Sequence, residues 1–491
     1  MQKKFVANLF FLLLLNLIIK PFWILGIDRS VQNIVGTEEY GHYFALMNFS
    51  FLLNILLDAG LTNYNNRNIS RYQFLVKKHF SSLFTLKLIL GVVYFIVAGI
   101  SAVIIGYHKG QWTLLILLLL NQFFIYLVLY LRSNIAGLQL FKYDSVVSVL
   151  DRFLMIIFCG ALILTQDKYH LLNIQTFVIT QTVAYALVAL IAVLIIFKKV
   201  GKVKFSFRLN FSRIIIKKSL PYAILVLLMT FYNRTDSVML ERMLPRGEGE
   251  ITSGSIQSGI YAHGYRLLDS ANMIAFLFST LLLPMFSGML KRRESVQGLI
   301  ETSFKILMSG VIMIVVLCFC FSQDIIGLLY TDYLTESADV FKWLILSLVP
   351  ISITYIFGTL LTANGDLKWL NRMAIFGVSL NITLNIFLIP KYMAFGTAIS
   401  SLITQSVTAL SQVYLAIRFV NINLNKSLLF RTILFALLFF SFTKLLLWLP
   451  VDLFIWYKFL IAIVVGLALA LKLGLLNISS ALALLSNKAA D

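Results

Sequence analysis

The sequence predicts an all-α integral membrane protein of about 14 transmembrane helices, on three observations. Of its 491 residues, 60% are hydrophobic and only 13% charged, against about 45–50% apolar and about 25% charged for soluble domains. Apolar stretches of roughly 20 residues, enough to cross about 30 Å of hydrocarbon, recur along its whole length. Lysine and arginine gather in alternate connections between those stretches, as topology signals do.

The spans are expected near 5–27, 40–58, 80–106, 112–134, 145–165, 174–197, 219–243, 259–287, 303–330, 340–363, 370–389, 395–418, 430–449 and 453–474. The opening "MQKKFVANLFFLLLLNLIIK" sets Lys3 and Lys4 before an apolar run, as a signal peptide does. No small-residue cleavage site follows, and the chain continues through Lys20, Pro21, Phe22 and Trp23, so it reads as a retained first helix. The second span ends at Asp58, before Ala59-Gly60. In the third, Lys87 lies near the basic end and reads as a side chain snorkelling to the interface.

Basic connections fall at "RNISRYQFLVKKH" (67–79), 198–218, "KRRES" (291–295) and "RFVNINLNKSLLFR" (418–431). The alternate set, "TQDKYH" (165–170), "RGEGE" (246–250) and "TDYLTESAD" (331–339), is short or acidic. The basic side is therefore expected to be cytoplasmic, and an even number of spans puts both termini there too. Segment 198–218 holds eight Lys/Arg and no acid. It reads as an amphipathic linker on the anionic inner leaflet. The expected organisation is an N-terminal lobe (1–197), this linker (198–218), a C-terminal lobe (219–418), and two last helices with a tail (419–491). An echo supports two related lobes. Ile27–Asn54 and Thr235–Asn272 each carry Asp then Ser-Val or Arg-Ser-Val, a glycine-bearing loop, and Gly-x-Tyr opening a helix (Gly41-His42-Tyr43; Gly259-Ile260-Tyr261).

Several function classes are excluded or weakened. The formal net charge of +20 is the topology signal of a membrane protein rather than a nucleic-acid footprint. Cys159, Cys318 and Cys320 match no zinc spacing and read as packing residues, so no metal is expected. No phosphate-binding Gly-Lys-Ser/Thr loop is present, so neither an ATPase nor a cofactor is expected. The serious enzyme rival, a polytopic lipid-linked-glycan polymerase or ligase, calls for an external loop armed for acid–base work. The candidate loop, 243–258, has no histidine.

Three segments carry a resemblance. "DSVMLERML" and the following "SGIYAHGYRLLDSANMIAFLFSTLLLPMFSGMLKRRES" (236–295), "NIFLIPKYMAFGTAISSLITQSV" (385–407) and "VGTEEYGHYFALMNFSFLLNILLDAGLTNYNNRNIS" (35–70) resemble features of bacterial polysaccharide translocases, or O-antigen flippases. These form a branch of the multidrug/oligosaccharidyl-lipid/polysaccharide exporter superfamily. The similarity runs in order along nearly the whole chain, although the polar loop 243–258 aligns loosely. The resemblance implies two six-helix lobes around a central cavity plus two C-terminal helices. It also implies alternating access that moves an undecaprenyl-pyrophosphate-linked oligosaccharide to the outer leaflet of the bacterial cytoplasmic membrane. A glycan polymerase and glycosyltransferases are the partners it implies. Multidrug export and peptidoglycan-precursor export stay open within the superfamily.

Charges inside the spans supply the candidate residues, because each costs about 2.5–3.5 kcal/mol at the bilayer centre on insertion scales. Arg234 and Asp236 interrupt the seventh span; Arg266 and Asp269 share a face of the eighth, with His263 a turn earlier. One reading makes them a salt-bridged helix pair, Asp236 with Arg266 and Arg234 with Asp269. The other has the arginines holding the carrier's pyrophosphate, since guanidinium is always charged and binds phosphate bidentately. Lys20 and Arg29 on the first helix are further candidate cations. Asp236, Asp269 and His263 are candidates for charge pairing or proton coupling, with hydrogen-bonded packing as the alternative for the histidine.

Overall fold

The computed structural model describes residues 19, 21–62, 75–138, 140–200, 209–245, 247, 249–448 and 454–476, and every regular element among them is helical. Ten of the described helices are long and apolar enough to cross a membrane. The chain is a multi-pass membrane protein, and it divides into two compact units, Met1–Gly259 and Ile260–Asp491.

In the first unit, α1 (Trp23–Asp28) is a π-helical stretch running directly into α2 (Arg29–Val35). Pro21 stands at its entry. A proline has no N–H and crowds the carbonyl a turn before it, so the helix locally widens rather than keeping its α pitch. The second expected span forms in two pieces, α3 (Thr37–Leu52) and α4 (Ile55–Asp58), which end on left-handed Ala59 and Gly60. Then follow α5 (Leu75–Ile105), α6 (Trp112–Gly137), α7 (Phe141–Leu164), α8 (Ile174–Val200) and α9 (Leu209–Met243). Residues 209–218 of the basic linker are thus the opening turns of α9, continuous with the seventh span.

The faces of α5 show the logic of these helices. Val92, Ile96, Ile100 and Val103 form an exposed apolar stripe, while Leu83, Lys87, Tyr94, Ala98 and Ala102 are buried. The outward stripe is wholly apolar, while the buried face mixes apolar and small residues with Lys87 and Tyr94, so the polar groups of this helix are kept inside.

Helix α10 (Gly254–Lys291) begins in the first unit and continues into the second. Its first turn meets α3 through two glycines. A Cβ on Gly41 would lie 1.9 Å from the Ser255 carbonyl oxygen, and one on Gly259 would lie 2.1 Å from that of Thr37. The Gly-x-Tyr motifs read as an internal echo therefore supply a close backbone crossing, which small residues alone allow.

The second unit continues with α11 (Gln297–Cys320), α12 (Ser322–Leu329), α13 (Leu334–Leu344), α14 (Leu348–Asn364), α15 (Leu367–Val420), α16 (Lys426–Trp448) and α17 (Ile455–Lys472). Within α15 the backbone leaves helical geometry at Met393, three residues after Pro390. The Ser400 hydroxyl donates to the Asn381 carbonyl at 3.3 Å, so the two expected spans, 370–389 and 395–418, fold back as a hairpin.

Candidate functional site

The π-helical turn of α1 aims two side chains into the first unit. Asp28, 1% exposed, accepts a 2.8 Å hydrogen bond from the Tyr40 hydroxyl on α3. Trp23 stacks on Phe177 of α8, ring centroids 6.0 Å apart. Tyr43 extends the same layer, its ring edge against Phe177 and its hydroxyl accepting from Gln181 at 3.3 Å.

Against this layer sits Arg152 on α7, a residue the sequence reading passed over. It lies near the middle of the span Tyr143–Leu164, about 13 Å from one end and about 18 Å from the other at 1.5 Å per residue. Its guanidinium lies 5.7 Å from the Trp23 ring centroid and 5.8 Å from that of Tyr185. Nη1 donates to the Tyr185 hydroxyl at 2.9 Å, and Nε stands 3.9 Å from Asp151. Aromatic faces attract a cation without neutralising it. Its side chain is 28% exposed. Arg152 is therefore held in place, within an apolar span, by aromatic rings, a tyrosine hydroxyl and Asp151.

The predicted residues fall as follows. Arg234, half-buried on α9, donates to Asn48 Oδ1 of α3 at 3.4 Å and lies 5.1 Å from the Phe51 ring. Asn48 in turn donates to Ser237 Oγ at 2.7 Å, and Asp236 is 1% exposed beside it. Arg29 is half-buried at the start of α2. Lys20 lies outside the described residues. Arg266 and Asp269 are half-buried on α10 in the second unit. His263, also there, is 2% exposed, hydrogen-bonded to Ser337 at 2.8 Å and stacked on Tyr330 at 4.1 Å.

Lys87 corrects the snorkelling expectation. It is 3% exposed, and its ammonium donates to Asp58 and, at 3.0 Å, to the Leu57 carbonyl. An acid on a neighbouring helix held it inside. The distance to its own helix end did not decide its position.

At one end of the unit, His42 Nδ1 and Glu241 Oε1 are 3.1 Å apart, and Arg242 Nε lies 2.9 Å from Glu241 Oε2. Gln111 bonds both Glu241 and Arg242, whose guanidinium caps the Tyr107 ring at 3.8 Å. Burial, with Glu241 nearby, holds the Tyr107 phenol well above its ordinary range, so it stays neutral. A cavity of 540 Å³ opens beside this network, lined by Glu38, Glu39, His42, Thr113 and Gln175 among others. Among the described residues no group of histidine, cysteine and carboxylate side chains has the makings of a metal site.

A family model described as "Polysaccharide biosynthesis protein" matches residues 5–290, more than half of the chain. The chain belongs to that family. No curated protein matches the sequence. Among solved structures, the fold is similar to that of a lipid II flippase, MurJ, in an inward closed conformation. That match has 17% identity and TM-score 0.71, covering 94% of this chain and 98% of the other. It is also similar to an inward-facing multidrug resistance MATE family transporter of the MOP superfamily. Here identity is 14% and TM-score 0.64, with 81% of this chain and 94% of the other covered. A MOP superfamily transporter from Pyrococcus furiosus matches at 15% identity and TM-score 0.53, over 84% and 93% of the two chains. This member of the polysaccharide biosynthesis family thus shares its fold with the lipid II flippase MurJ and with MATE transporters of the MOP superfamily.

Proposed function

We propose that the protein flips an undecaprenyl-pyrophosphate-linked oligosaccharide from the cytoplasmic to the outer leaflet of a bacterial cytoplasmic membrane, by alternating access. The product is surface polysaccharide such as O-antigen, with a glycan polymerase and glycosyltransferases as working partners. The observation that carries this reading is Arg152, a mid-span guanidinium held by aromatic rings and a tyrosine hydroxyl, with the Asp151 carboxylate 3.9 Å from its Nε. Such a group suits a diphosphate and repels the cationic compounds typical of drug export. Arg234, oriented by Asn48, is a second phosphate-binding candidate, and Arg29, Arg266 and Lys20 complete the proposed set. The distribution of lysine and arginine supports cytoplasmic termini.

The test uses purified protein in vesicles carrying a fluorescent undecaprenyl-pyrophosphate trisaccharide, with a lipid II analogue and a cationic dye as parallel probes. The expected result is faster leaflet exchange of the trisaccharide lipid than of lipid II, with no dye uptake. Exchange of lipid II alone favours the peptidoglycan-precursor reading. Dye uptake alone overturns the proposal.

A further inference from the structure

Helix α15 is a hairpin, so its two ends meet in the second unit. Trp369 on the first arm lies against Phe419 on the second, ring centroids 5.6 Å apart. An arginine covers each ring. The Arg372 guanidinium is 4.7 Å from the Trp369 centroid, and that of Arg418 is 5.8 Å from the Phe419 centroid. Lys368 is a near neighbour in sequence, and Lys368, Trp369, Arg372 and Arg418 are all exposed. Gln297 Nε2 donates to the Asn423 carbonyl at 2.6 Å, which draws the basic connections 291–295 and 418–431 together at this end.

Ion pairing within the protein does not explain the two arginines. The carboxylates that flank this end are engaged elsewhere: Glu294 accepts from Arg292 at 2.6 Å, Glu301 from Gln297 at 2.8 Å, and Asp366 from Asn364 at 2.7 Å. Among the described residues neither Arg372 nor Arg418 has an ion pair. Aromatic faces hold a cation without cancelling its charge. A topology signal needs only charge in a connection, and gives no reason to hold two guanidiniums on rings at the end of a span.

Next to each arginine the exposed surface turns apolar. Ile375 and Phe376 lie one turn beyond Arg372, and Tyr414 and Leu410 lead away from Arg418 along the other arm, all exposed. Residues three and four apart share a helix face. The charged corner therefore stands at the head of two apolar strips, at the depth where aromatic residues gather at membrane surfaces.

We propose that this corner binds the phosphate of an anionic phospholipid, whose acyl chains lie along the two arms of α15. Guanidinium donates paired hydrogen bonds to phosphate oxygens, and the rings hold both guanidiniums ready for them. A free phosphate would meet the arginines and leave the strips bare. A zwitterionic lipid would bring its own cation against them. On the topology proposed above, the lipid belongs to the inner leaflet. The site is independent of what the protein transports.

The experiment titrates the detergent-purified protein with phosphatidylglycerol, with phosphatidylcholine of the same acyl chains, and with inorganic phosphate. Native mass spectrometry measures retained lipid, and thermal unfolding measures the stabilisation that binding brings. Wild type is compared with the pair Arg372→Gln and Arg418→Gln. A charge-matched control, Arg293→Gln with Lys426→Gln, alters exposed residues of the same end. Wild type is expected to bind phosphatidylglycerol at least roughly 10-fold more tightly than phosphatidylcholine, the value of one hydrogen bond to a charged group. The Arg372 and Arg418 pair is expected to lose that preference, and the control to keep it. Inorganic phosphate is expected not to displace the lipid. Were the glutamine pair to misfold, Trp369→Leu, which keeps every charge and removes the ring beside Arg372, replaces it with the same expected direction. Equal binding of the two lipids by wild type, an unchanged preference in the altered site, or an equal loss in the control overturns the proposal. Displacement by inorganic phosphate also overturns it, since the corner would then be an anion site without a lipid.

Discussion

The two compact units bury different kinds of polar group. In Met1–Gly259 the buried set includes Asp28, Asp58, Lys87, Asp236 and Glu241. In Ile260–Asp491, apart from His263 and Lys458, the buried polar residues described are hydroxyls and amides, with Asn381, Asn385, Ser400, Thr404, Gln405 and Gln412 along α15. Hydroxyls and amides find partners locally, as Asn385 Nδ2 donates to Asn381 Oδ1 and the Ser400 hydroxyl to the Asn381 backbone carbonyl, and let helices pack closely. Buried ions respond to ligands and protons as neutral groups do not. The fully buried charges therefore fall mainly in the first unit, Arg266 of α10 being a half-buried cation that the second unit adds, and α15 has a packing role.

The largest expected effect separates the two halves of a single pair. Lys87→Met alone leaves Asp58 buried without its counter-ion and is expected to cost about 3–5 kcal/mol. Adding Asp58→Leu is expected to recover most of that loss. Thermal unfolding of the detergent-purified proteins measures both. Equal destabilisation in single and double variants would show that the site needs the charges for its packing, and would blur the contrast between units.

Next is Tyr185→Phe, which removes the hydroxyl that accepts from Arg152. A hydrogen bond to a charged group contributes about 1.5–3 kcal/mol, so a loss in that range is expected in the same assay. Translocation should fall along with it, since Arg152 loses its alignment. Gly41→Ala is expected to cost about 1–3 kcal/mol, the usual penalty for overpacking, because the added methyl meets the Ser255 carbonyl. The smallest effect belongs to the second unit. Ser337→Ala removes the hydrogen-bond partner of His263 and is expected to cost about 1 kcal/mol with translocation unchanged. Lost translocation at normal abundance would put ionic chemistry in the second unit as well.

Much of the fold was legible in the sequence, because span length and apolarity are local properties. The spans expected at 112–134 and 174–197 occur as Trp112–Gly137 and Ile174–Val200. The Ile-Pro and Gly-x-Ala pattern marked the break at Met393, where Gly396 packs against the Leu388 backbone. The charged sites were much less legible. Arg152 sits next to Asp151, and two adjacent opposite charges look self-cancelling in a one-dimensional reading. Its real surroundings are Trp23 and Tyr185, on other helices and distant in sequence. The signal that marks it is its mid-span position, where a side chain has no water within reach. Lys87 was misread for a related reason: its partner Asp58 lies 29 residues away on another helix, and depth along one helix says nothing about that neighbour. Arg234 was visible because it interrupts an apolar run, but its link to Asn48 and Phe51 was not.

The central claim is that Arg152 and Arg234 of the first unit handle an anionic lipid-linked glycan. The most direct test is outer-leaflet appearance of that glycan in cells carrying Arg152→Ala, Arg234→Ala or both, at matched membrane abundance. The account predicts a marked loss for each single variant and near-complete loss for the double. Wild-type translocation in the double variant would contradict it and leave these arginines as structural groups alone.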